Sequence, residues 1–541
     1  MRVPLGRRTV TGMVWALAAP ADDGAAYAGE LKPVAEVLAD LPPLPDDWRA
    51  LVAFAAQYYQ RSLGEMALMV LPPELRDLDN VQWQRRLKRL HKGLAQAQPD
   101  VPPQPALPDL TAQQQAVLQA LAEAGAATSL LWGSTGSGKT EVYLRQTDAA
   151  LQRGQQVLLM VPEINLTPQL EAQVAARFPG RRIVSLHSGL TPAQRLQGWL
   201  LAHLGHADIV LGTRLAVFAA MPRLGLVVVD EEHDPSYKQQ EGARYSARDL
   251  AVYRGRLQQA QVLLASATPS LESWHLSRPT QEGGRYLRLH MPSRIGAGVG
   301  TGQLPKVRRV DMNKQPRRTV LSAPLVAALQ ERVERGEQCM LLLNRRGYAP
   351  VLHCADCGWK SECKHCSAFR VFHKIDRTLR CHHCGLTERV PRACPECGNA
   401  DIAPIGRGTE QLEEHLGELL AHVKRPDGSP IRIARIDADT TRLKGALESQ
   451  LASVHSGEVD ILVGTQMIAK GHDFRRITLV AAVNPDTALF SSDFRAPERL
   501  FALLMQAAGR AGREAAQSAT SEMWVQTFHP QHALFEALKK H

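Results

Sequence analysis

Hydrophobic residues along this chain cluster in strand-sized runs separated by stretches of helical period. From Leu110 onward the runs SLLWG, QQVLLMVPE, RRIVSL, ADIVLGT, LGLVVVDEE and QVLLASAT follow one another in this way. Runs that are apolar at successive positions suit strands buried on both faces, and their alternation with helices predicts a parallel sheet covered on both sides. A second set, QCMLLLNRR, IRIARID, VDILVGT and ITLVAAV, repeats the pattern. Two α/β lobes are therefore expected, at 109–285 and at 321–351 with 403–531. A connecting segment rich in Gly, Pro and Arg, 286–320, joins them. The interval 352–402 breaks the second lobe and reads as an insertion, and no repeat of fixed period is present.

The first part of the chain is less regular. Residues 1–75 combine strand-like stretches, such as the alternation Val10, Gly12, Val14, with a helical segment from Trp48 to Tyr59. Residues 76–108 are expected to be a linker: QWQRRLKRLHKGLAQAQ is basic and helix-like, and PDVPPQPALPD is proline-rich and stiff. The opening MRVPLGRRTVTGMVWALAAPA has the arginines and apolar residues of a secretory signal, but Thr11 and Gly12 break its apolar stretch. No window approaches the ~18 uninterrupted apolar residues of a membrane span. The cytoplasm, and no membrane partner, are expected.

Charge then narrows the partners. A formal net charge of +10 and a pI of about 9.2 favour a polyanionic partner such as nucleic acid, with a well-solvated surface as the alternative. Eight of the nine cysteines lie between Cys354 and Cys397 as four Cys-x-x-Cys pairs. That clustering suits metal in a reducing compartment better than disulfides.

Candidate chemistry sits at the strand ends. Gly133, Ser134, Thr135, Gly136, Ser137, Gly138, Lys139 and Thr140 follow a strand and open a helix, which are the spacing and context of a phosphate-binding P-loop. Lys139 is expected on the β- and γ-phosphates of ATP, and Thr140 on Mg²⁺. The run LGLVVVDEE ends in Asp230 and Glu231. Alone it could be a strand closing in solvated acids. After a P-loop it is expected to place Asp230 on the Mg²⁺ and Glu231 on the attacking water. In LLMQAAGRAGR, Arg510 and Arg513 lie three apart, placed to stabilise transition-state charge from the second lobe, although GRAGR by itself also fits a helix end. Gln114, within LTAQQQAVLQAL, is positioned to read an adenine edge, with a solvated helix face as the alternative.

The order GSTGSGKT, VPEINLTPQ, GTRLAVF, DEEHD, SATPSLES, LLLNRRGYAP, GTQMIAKGHDF, QAAGRAGR resembles the superfamily-2 helicases. With DEEHDPSYKQQEG and the inserted cysteine pairs it is similar, over nearly the whole chain, to the PriA family (primosomal protein N′) of replication-restart helicases. The resemblance implies two RecA-like lobes, a β-rich N-terminal DNA-binding domain and ATP-dependent 3′–5′ unwinding. It also implies binding of abandoned forks and single strands, and work with other primosome and helicase-loading proteins. By the same resemblance, Thr213, Arg214 and Thr465 contact the DNA backbone, and Ser266 and Thr268 transmit nucleotide state. The resemblance also implies that residues 234–250 are an aromatic-rich loop that senses single strand. In it Tyr237 and Tyr245 can stack on bases, while Lys238, Arg244 and Arg248 meet phosphates. The chain departs from the family pattern in four places. The N-terminal pocket keeps only the positions Gly6 and Lys32. Residues 76–108 are too short for a winged-helix domain. Residues 532–541 read as the remnant of a C-terminal domain. Ala243 replaces a common tryptophan. A truncated chain is expected, and a fork-binding scaffold without productive unwinding is the alternative function.

Eight thiols make two structural Cys₄ zinc sites. The 14 residues between Cys366 and Cys381 match a ribbon hairpin, which would group Cys363, Cys366, Cys381 and Cys384. The outer Cys354, Cys357, Cys394 and Cys397 then form the second site, a nested scheme that the resemblance also implies. Sequential pairing would leave five residues between Cys357 and Cys363 and stays open. Cations from Lys360 to Arg392 surround the thiols, where they could offset thiolate charge or meet DNA or a partner. Cys339 is expected in the core.

Overall fold

The computed structural model describes residues 1–5, 8–15, 33–38, 40–76, 78–96, 106–125, 127–162, 168–295, 305–316, 319–343, 351–354, 356–366, 369–373, 377–381, 384–404, 409–436, 446–465, 468, 474, 476–491, 493–512 and 520–540. Two compact units divide it, the first ending at Pro292 and the second running from Ser293 to His541, with Ser134–Ser137 clustering with the second.

In the first unit a seven-stranded sheet carries, in spatial order, Ile183–Leu186, Ile209–Gly212, Gln156–Met160, Leu224–Val229, Gln261–Ser266, Thr128–Gly133 and Leu287–Met291. Every neighbouring pair is parallel. The reason lies in the pleat: successive side chains leave opposite faces, so an all-apolar run feeds two cores at once. Leu158 and Met160 enter one cluster while Val157 and Leu159 enter another. The second unit repeats this with six parallel strands in the order Lys306–Asp311, Glu522–Thr527, Ile477–Val483, Gln338–Leu343, Ile461–Gly464 and Ile433–Ile436. Met340 and Leu342 face one core, and Cys339, Leu341 and Leu343 the other; Cys339 is fully buried.

Small antiparallel elements build the insertion. Leu352–Cys354 pairs with Ile402–Pro404, closing the base, and Val371–His373, Thr378–Arg380 and Thr387–Arg389 form a three-stranded sheet beyond it. At the N-terminus, Arg2–Leu5 pairs with Arg8–Thr11. The helix Asp46–Tyr58 packs on the helix Ala247–Gln258, with Phe54 stacked 3.8 Å from Tyr253, and the Trp48 indole N–H donates to the Phe218 carbonyl at 2.7 Å.

The basic run expected within a linker is a packed helix, Asn80–Gln96. Its Trp83, Leu87 and Leu90 repeat at helical spacing and are buried in the same cluster as the first sheet. High charge concealed a narrow apolar stripe on one face. The proline-rich part, 97–105, lies outside the described residues. No described helix is long and apolar enough to cross a membrane. Because Trp83 is fully enclosed, Trp83→Ala should cost about 3–5 kcal/mol of unfolding free energy, read as a lower denaturant midpoint. An unchanged midpoint would show that this helix is not part of the first core.

Candidate functional site

The carboxyl ends of three adjacent strands, Leu224–Val229, Gln261–Ser266 and Thr128–Gly133, place the candidate chemistry together, as open α/β sheets commonly do. Past Gly133 the chain turns back on itself, Ser137 N donating to the Ser134 carbonyl at 3.1 Å, and enters the helix Lys139–Gln152. Gly136 and Gly138 take φ of 86° and 82°, backbone that a side chain disfavours, so the glycines are required by the turn. The buried Lys139 donates its ammonium to the Gly133 carbonyl at 2.7 Å, and Thr140 is exposed at the helix start.

Gln114 is placed differently from its expectation. It is 1% exposed, with its Oε1 accepting from Thr111 N at 2.8 Å in a capping box and its Nε2 donating to the Gly138 carbonyl at 3.2 Å. Reading an adenine edge would require it to leave both partners. In this geometry it braces the P-loop against the preceding helix.

Asp230 and Glu231 follow the central strand. Burial, and then the Glu231 carboxylate, push the Asp230 carboxyl up to about 7, against the pull of Lys139. Tyr143 donates its hydroxyl to Asp230 Oδ2 at 3.4 Å. A carboxylate so disfavoured alone gains from a cation beside it. Together with the Thr140 hydroxyl, Asp230 offers the hard oxygen donors that Mg²⁺ takes. Glu231 sits at φ +46°, a left-handed conformation that costs roughly 1–2 kcal/mol for a residue with a side chain. Its carboxylate lies 3.6 Å from His233 Nδ1.

Two neighbours escaped the sequence reading. His233 Nδ1 lies 2.7 Å from Ser266 Oγ and 3.6 Å from Glu231 Oε2, and Ser266 Oγ accepts from Thr268 N at 3.0 Å. His233 therefore links the acidic turn to Ser266 and Thr268. Glu232 is 1% exposed and accepts from Ser270 N at 2.7 Å, Ser270 Oγ at 2.9 Å, Ser273 Oγ at 2.8 Å and Arg248 Nη1 at 3.3 Å. The signal was present, a third acid in DEEHD followed by SATPSLES, but nothing in spacing pairs them.

The residues expected on DNA divide. Tyr237 and Tyr245 are each 2% exposed, so neither offers a ring face to a base. Tyr237 donates its hydroxyl to the Asp230 carbonyl at 2.7 Å, and Tyr245 packs edge-on against Phe218 at 5.1 Å. Apolar surface drew both rings into the core. Arg248 is taken up by protein partners, donating to Ser270 Oγ at 2.7 Å, to Glu232 at 3.3 Å and to the exposed Asp249 at 2.8 Å. Ala243 is buried as well. Lys238 and Arg244 remain exposed, Lys238 lying 5.2 Å over the Tyr59 ring. Thr213 ends its strand buried, Arg214 donates to the Ser236 carbonyl at 2.8 Å, and Thr465 closes its own strand in the second unit. Arg510 is buried just past the helix Ala496–Ala508. Gly6, Lys32 and Arg513 lie outside the described residues.

The cysteines group as the nested scheme requires, Cys354, Cys357, Cys394 and Cys397 in one set and Cys363, Cys366, Cys381 and Cys384 in the other, each with all sulfurs within 4.8 Å. Sulfur pairs at 3.5–3.6 Å approach the ~3.8 Å edge of a tetrahedron with ~2.3 Å Zn–S bonds. Four thiols with no fifth donor fit structural zinc. The surrounding cations are partly spoken for. Lys364 and Arg370 pair with Glu388, and Lys360 packs 3.3 Å over the Phe490 ring beside His529, where burial pulls its amine down to about 8.

Glu232→Ala would leave three donors unmet, Ser270 N, Ser270 Oγ and Ser273 Oγ, while Arg248 keeps Asp249 at 2.8 Å, so a loss of about 1–3 kcal/mol of stability is expected in denaturant unfolding. A loss below ~1 kcal/mol would show that the cluster is not structural. Cys381→Ser should halve bound zinc by metal analysis, from two ions per chain toward one, since only the inner set loses a ligand. An undiminished zinc content would refute the grouping.

Comparison with known proteins agrees with this arrangement. The families described as "3'DNA-binding domain (3'BD)", "DEAD/DEAH box helicase", "PriA DNA helicase Cys-rich region (CRR) domain" and "Helicase conserved C-terminal domain" match residues 1–72, 111–275, 363–389 and 407–515. The replication restart protein PriA of Haemophilus influenzae is 45% identical over 78% of this chain and 55% of its own length. That of Treponema pallidum is 37% identical over 94% and 73%, and that of Rickettsia felis 34% identical over 99% and 77%. A solved structure of RecG bound to a three-way DNA junction aligns over 91% of this chain and 52% of its own at 15% identity and a TM-score of 0.45. The chain spans about half the length of several of the curated relatives it matches. With the relatives covered most fully still more than 30% identical, the chain belongs to the PriA family of replication restart proteins.

Proposed function

We propose that this chain is an ATP-driven DNA helicase that moves 3′ to 5′, binds and remodels abandoned replication forks, and promotes reloading of the replicative helicase with other primosome proteins. The observation that carries the reading is the convergence of the P-loop lysine with Asp230 and Glu231 at the carboxyl ends of neighbouring parallel strands. The loop N–H groups and Lys139 receive the phosphates of ATP. Thr140 and Asp230 hold Mg²⁺, which when bound offsets charge developing on the phosphates. Glu231 orients the attacking water. Arg510 and Arg513, from the second lobe, add positive charge in the transition state, which makes hydrolysis depend on lobe movement.

DNA runs over Lys238 and Arg244, which are exposed, and along the strand ends that carry the buried Thr213 and Thr465. Thr213, Arg214 and Thr465 meet the backbone, and Lys238 and Arg244 add phosphate contacts. Family membership and the net charge of +10 support DNA as the polymer. The His233–Ser266–Thr268 chain supports a route by which the state of Glu231 reaches the strand end beside it.

ATPase and strand separation on forked, single-stranded and duplex DNA test the reading. DNA-stimulated hydrolysis should fall roughly 100-fold or more in Lys139→Ala, and the wild-type chain should separate a fork bearing a 3′ single strand. Stimulation that persists in Lys139→Ala would sink the motor. DNA binding with no strand separation would favour the scaffold function instead.

A further inference from the structure

The helix Asn80–Gln96 has two opposed faces. At about 100° per residue, Trp83, Leu87, Leu90 and Leu94 fall on one side and pack into the first core. Arg85, Lys88, Arg89 and Lys92 fall on the other side, at i, i+3, i+4 and i+7, and all four are exposed. Like charges at these spacings repel one another. Solvated helices commonly relieve such repulsion with acids one turn away, but this helix holds no Asp or Glu. Among the described residues none of the four cations forms an ion pair. Packing of the apolar side fixes the row in place, so its charge is both uncompensated and rigidly presented.

Positive charge continues past the helix. Burial first, then the charges of Arg182, His91 and Arg223, pull the exposed His206 imidazole down, so cations from separate segments crowd one place. Arg182 donates to the His206 carbonyl at 3.2 Å and Arg223 to the Gly205 carbonyl at 2.6 Å. The nearby carboxylates are engaged: Asp208 accepts from Arg182 N at 2.8 Å and lies 3.9 Å from Arg181, and Asp40 accepts from Gln84 Nε2 at 2.9 Å. Arg182, His206 and Arg223 all precede strands, Ile183–Leu186, Ile209–Gly212 and Leu224–Val229. They therefore mark the amino ends of the sheet, one strand length, roughly 13–20 Å, from the carboxyl ends that carry the P-loop and Asp230. The basic surface is separate from the nucleotide site and from the turn at Thr213.

We infer that the basic stripe of the helix Asn80–Gln96, continued by Arg182 and Arg223, seats the phosphate backbone of a DNA duplex at the amino end of the first sheet. The inference rests on the DNA-motor reading and adds a second contact to it. No side chain of the stripe is aromatic, so it lacks the stacking platforms by which single strands are gripped. What it offers is a fixed row of cations about 10 Å long from Arg85 to Lys92. A duplex presents one charge per ~1.7 Å of its axis at regular positions, and such a row releases its counterions without reading its sequence. A duplex arm held here while single strand is worked at the other end of the sheet keeps a fork in register with the motor.

The test is equilibrium binding of the full chain to a blunt duplex and to a single-stranded oligonucleotide of equal length across a range of salt. The variant combines Arg85→Gln, Lys88→Gln, Arg89→Gln and Lys92→Gln; Gln keeps helix propensity and removes the repulsion. Duplex affinity should fall at least about tenfold, and the slope of log K against log salt should drop by about 2 or more, at ~0.9 per lost phosphate contact. Single-strand affinity and single-strand-stimulated ATPase should stay as in the wild type. Should the fourfold variant not fold, the pairs Arg85→Gln with Lys88→Gln and Arg89→Gln with Lys92→Gln divide the same effect. An unchanged duplex slope would overturn the inference and leave a solvated face. Equal losses on duplex and single strand would overturn it too, as would unchanged duplex binding with lost binding of poly-glutamate, which would assign the face to an acidic protein. Wild-type chain that binds neither DNA would sink the DNA-motor reading itself.

Discussion

A single buried carboxylate holds the first unit's site in shape. Taking Glu232 out of water costs several kcal/mol, and only dense pairing makes it tolerable. Ser270 supplies two donors, Ser273 one, and Arg248 a charge. Those partners belong to the segment after strand Gln261–Ser266 and to the helix Ala247–Gln258, so one side chain ties two pieces of chain to the acidic turn. Glu231 lies next to this anchor, in a conformation it would not choose alone. The strain persists because its neighbour cannot move.

Other buried polar groups act in the same manner. Gln114 spans a helix cap and the P-loop. Tyr237 binds the backbone of Asp230, and Tyr59, at the end of the helix Asp46–Tyr58, accepts from Ser246 N at 3.0 Å while Arg61 donates to the Gly242 carbonyl at 2.6 Å. The bonds from Gln114 to Gly138, from Ser246 to Tyr59 and from Arg61 to Gly242 join segments distant in sequence. The 234–246 loop is thereby held at one end by the acidic turn and at the other by the N-terminal helix. One hydrogen bond, from the Tyr237 hydroxyl, connects the loop directly to the Asp230 backbone.

Legibility in sequence followed physical scale. Strand order along the chain, the two lobes and the insertion showed in runs of apolar residues, because burial on both faces imposes a pattern over whole elements. The P-loop, Asp230 with Glu231, and the cysteine grouping were legible because ligand geometry restricts spacing. The fates of Tyr237, Tyr245, Arg248 and Gln114 were not, since a polar or aromatic residue in a motif is written the same way whether it faces solvent or a buried partner. Trp83 was hidden for the converse reason: arginines and lysines around it made a packed helix look like a solvated run. His233 and Glu232 lay inside a recognised motif, yet their partners stand more than 30 positions away.

The zinc-binding insertion shows how a rigid module is joined to a lobe without a continuous hydrophobic core. Its Phe369 meets Phe490 edge-on at 5.2 Å, Lys360 lies over the same ring, and His529 approaches that ring at 4.7 Å. Below them Asp486 accepts from Thr527 Oγ1 and from Phe528 N, which fixes the segment that carries His529. Burial that lowers the Lys360 amine shows a cation held against its solvation preference, with the Phe490 face and Asp486 as compensation. The strand Glu522–Thr527 leads directly into this seat and is paired with both Ile477–Val483 and Lys306–Asp311. Force on the module therefore enters the second sheet through one of its inner strands, and a domain clamped by eight thiolates has little freedom to absorb that force itself. The insertion thus meets the second unit through the Phe490 ring, with Lys360 over it and Phe369 and His529 at its edge.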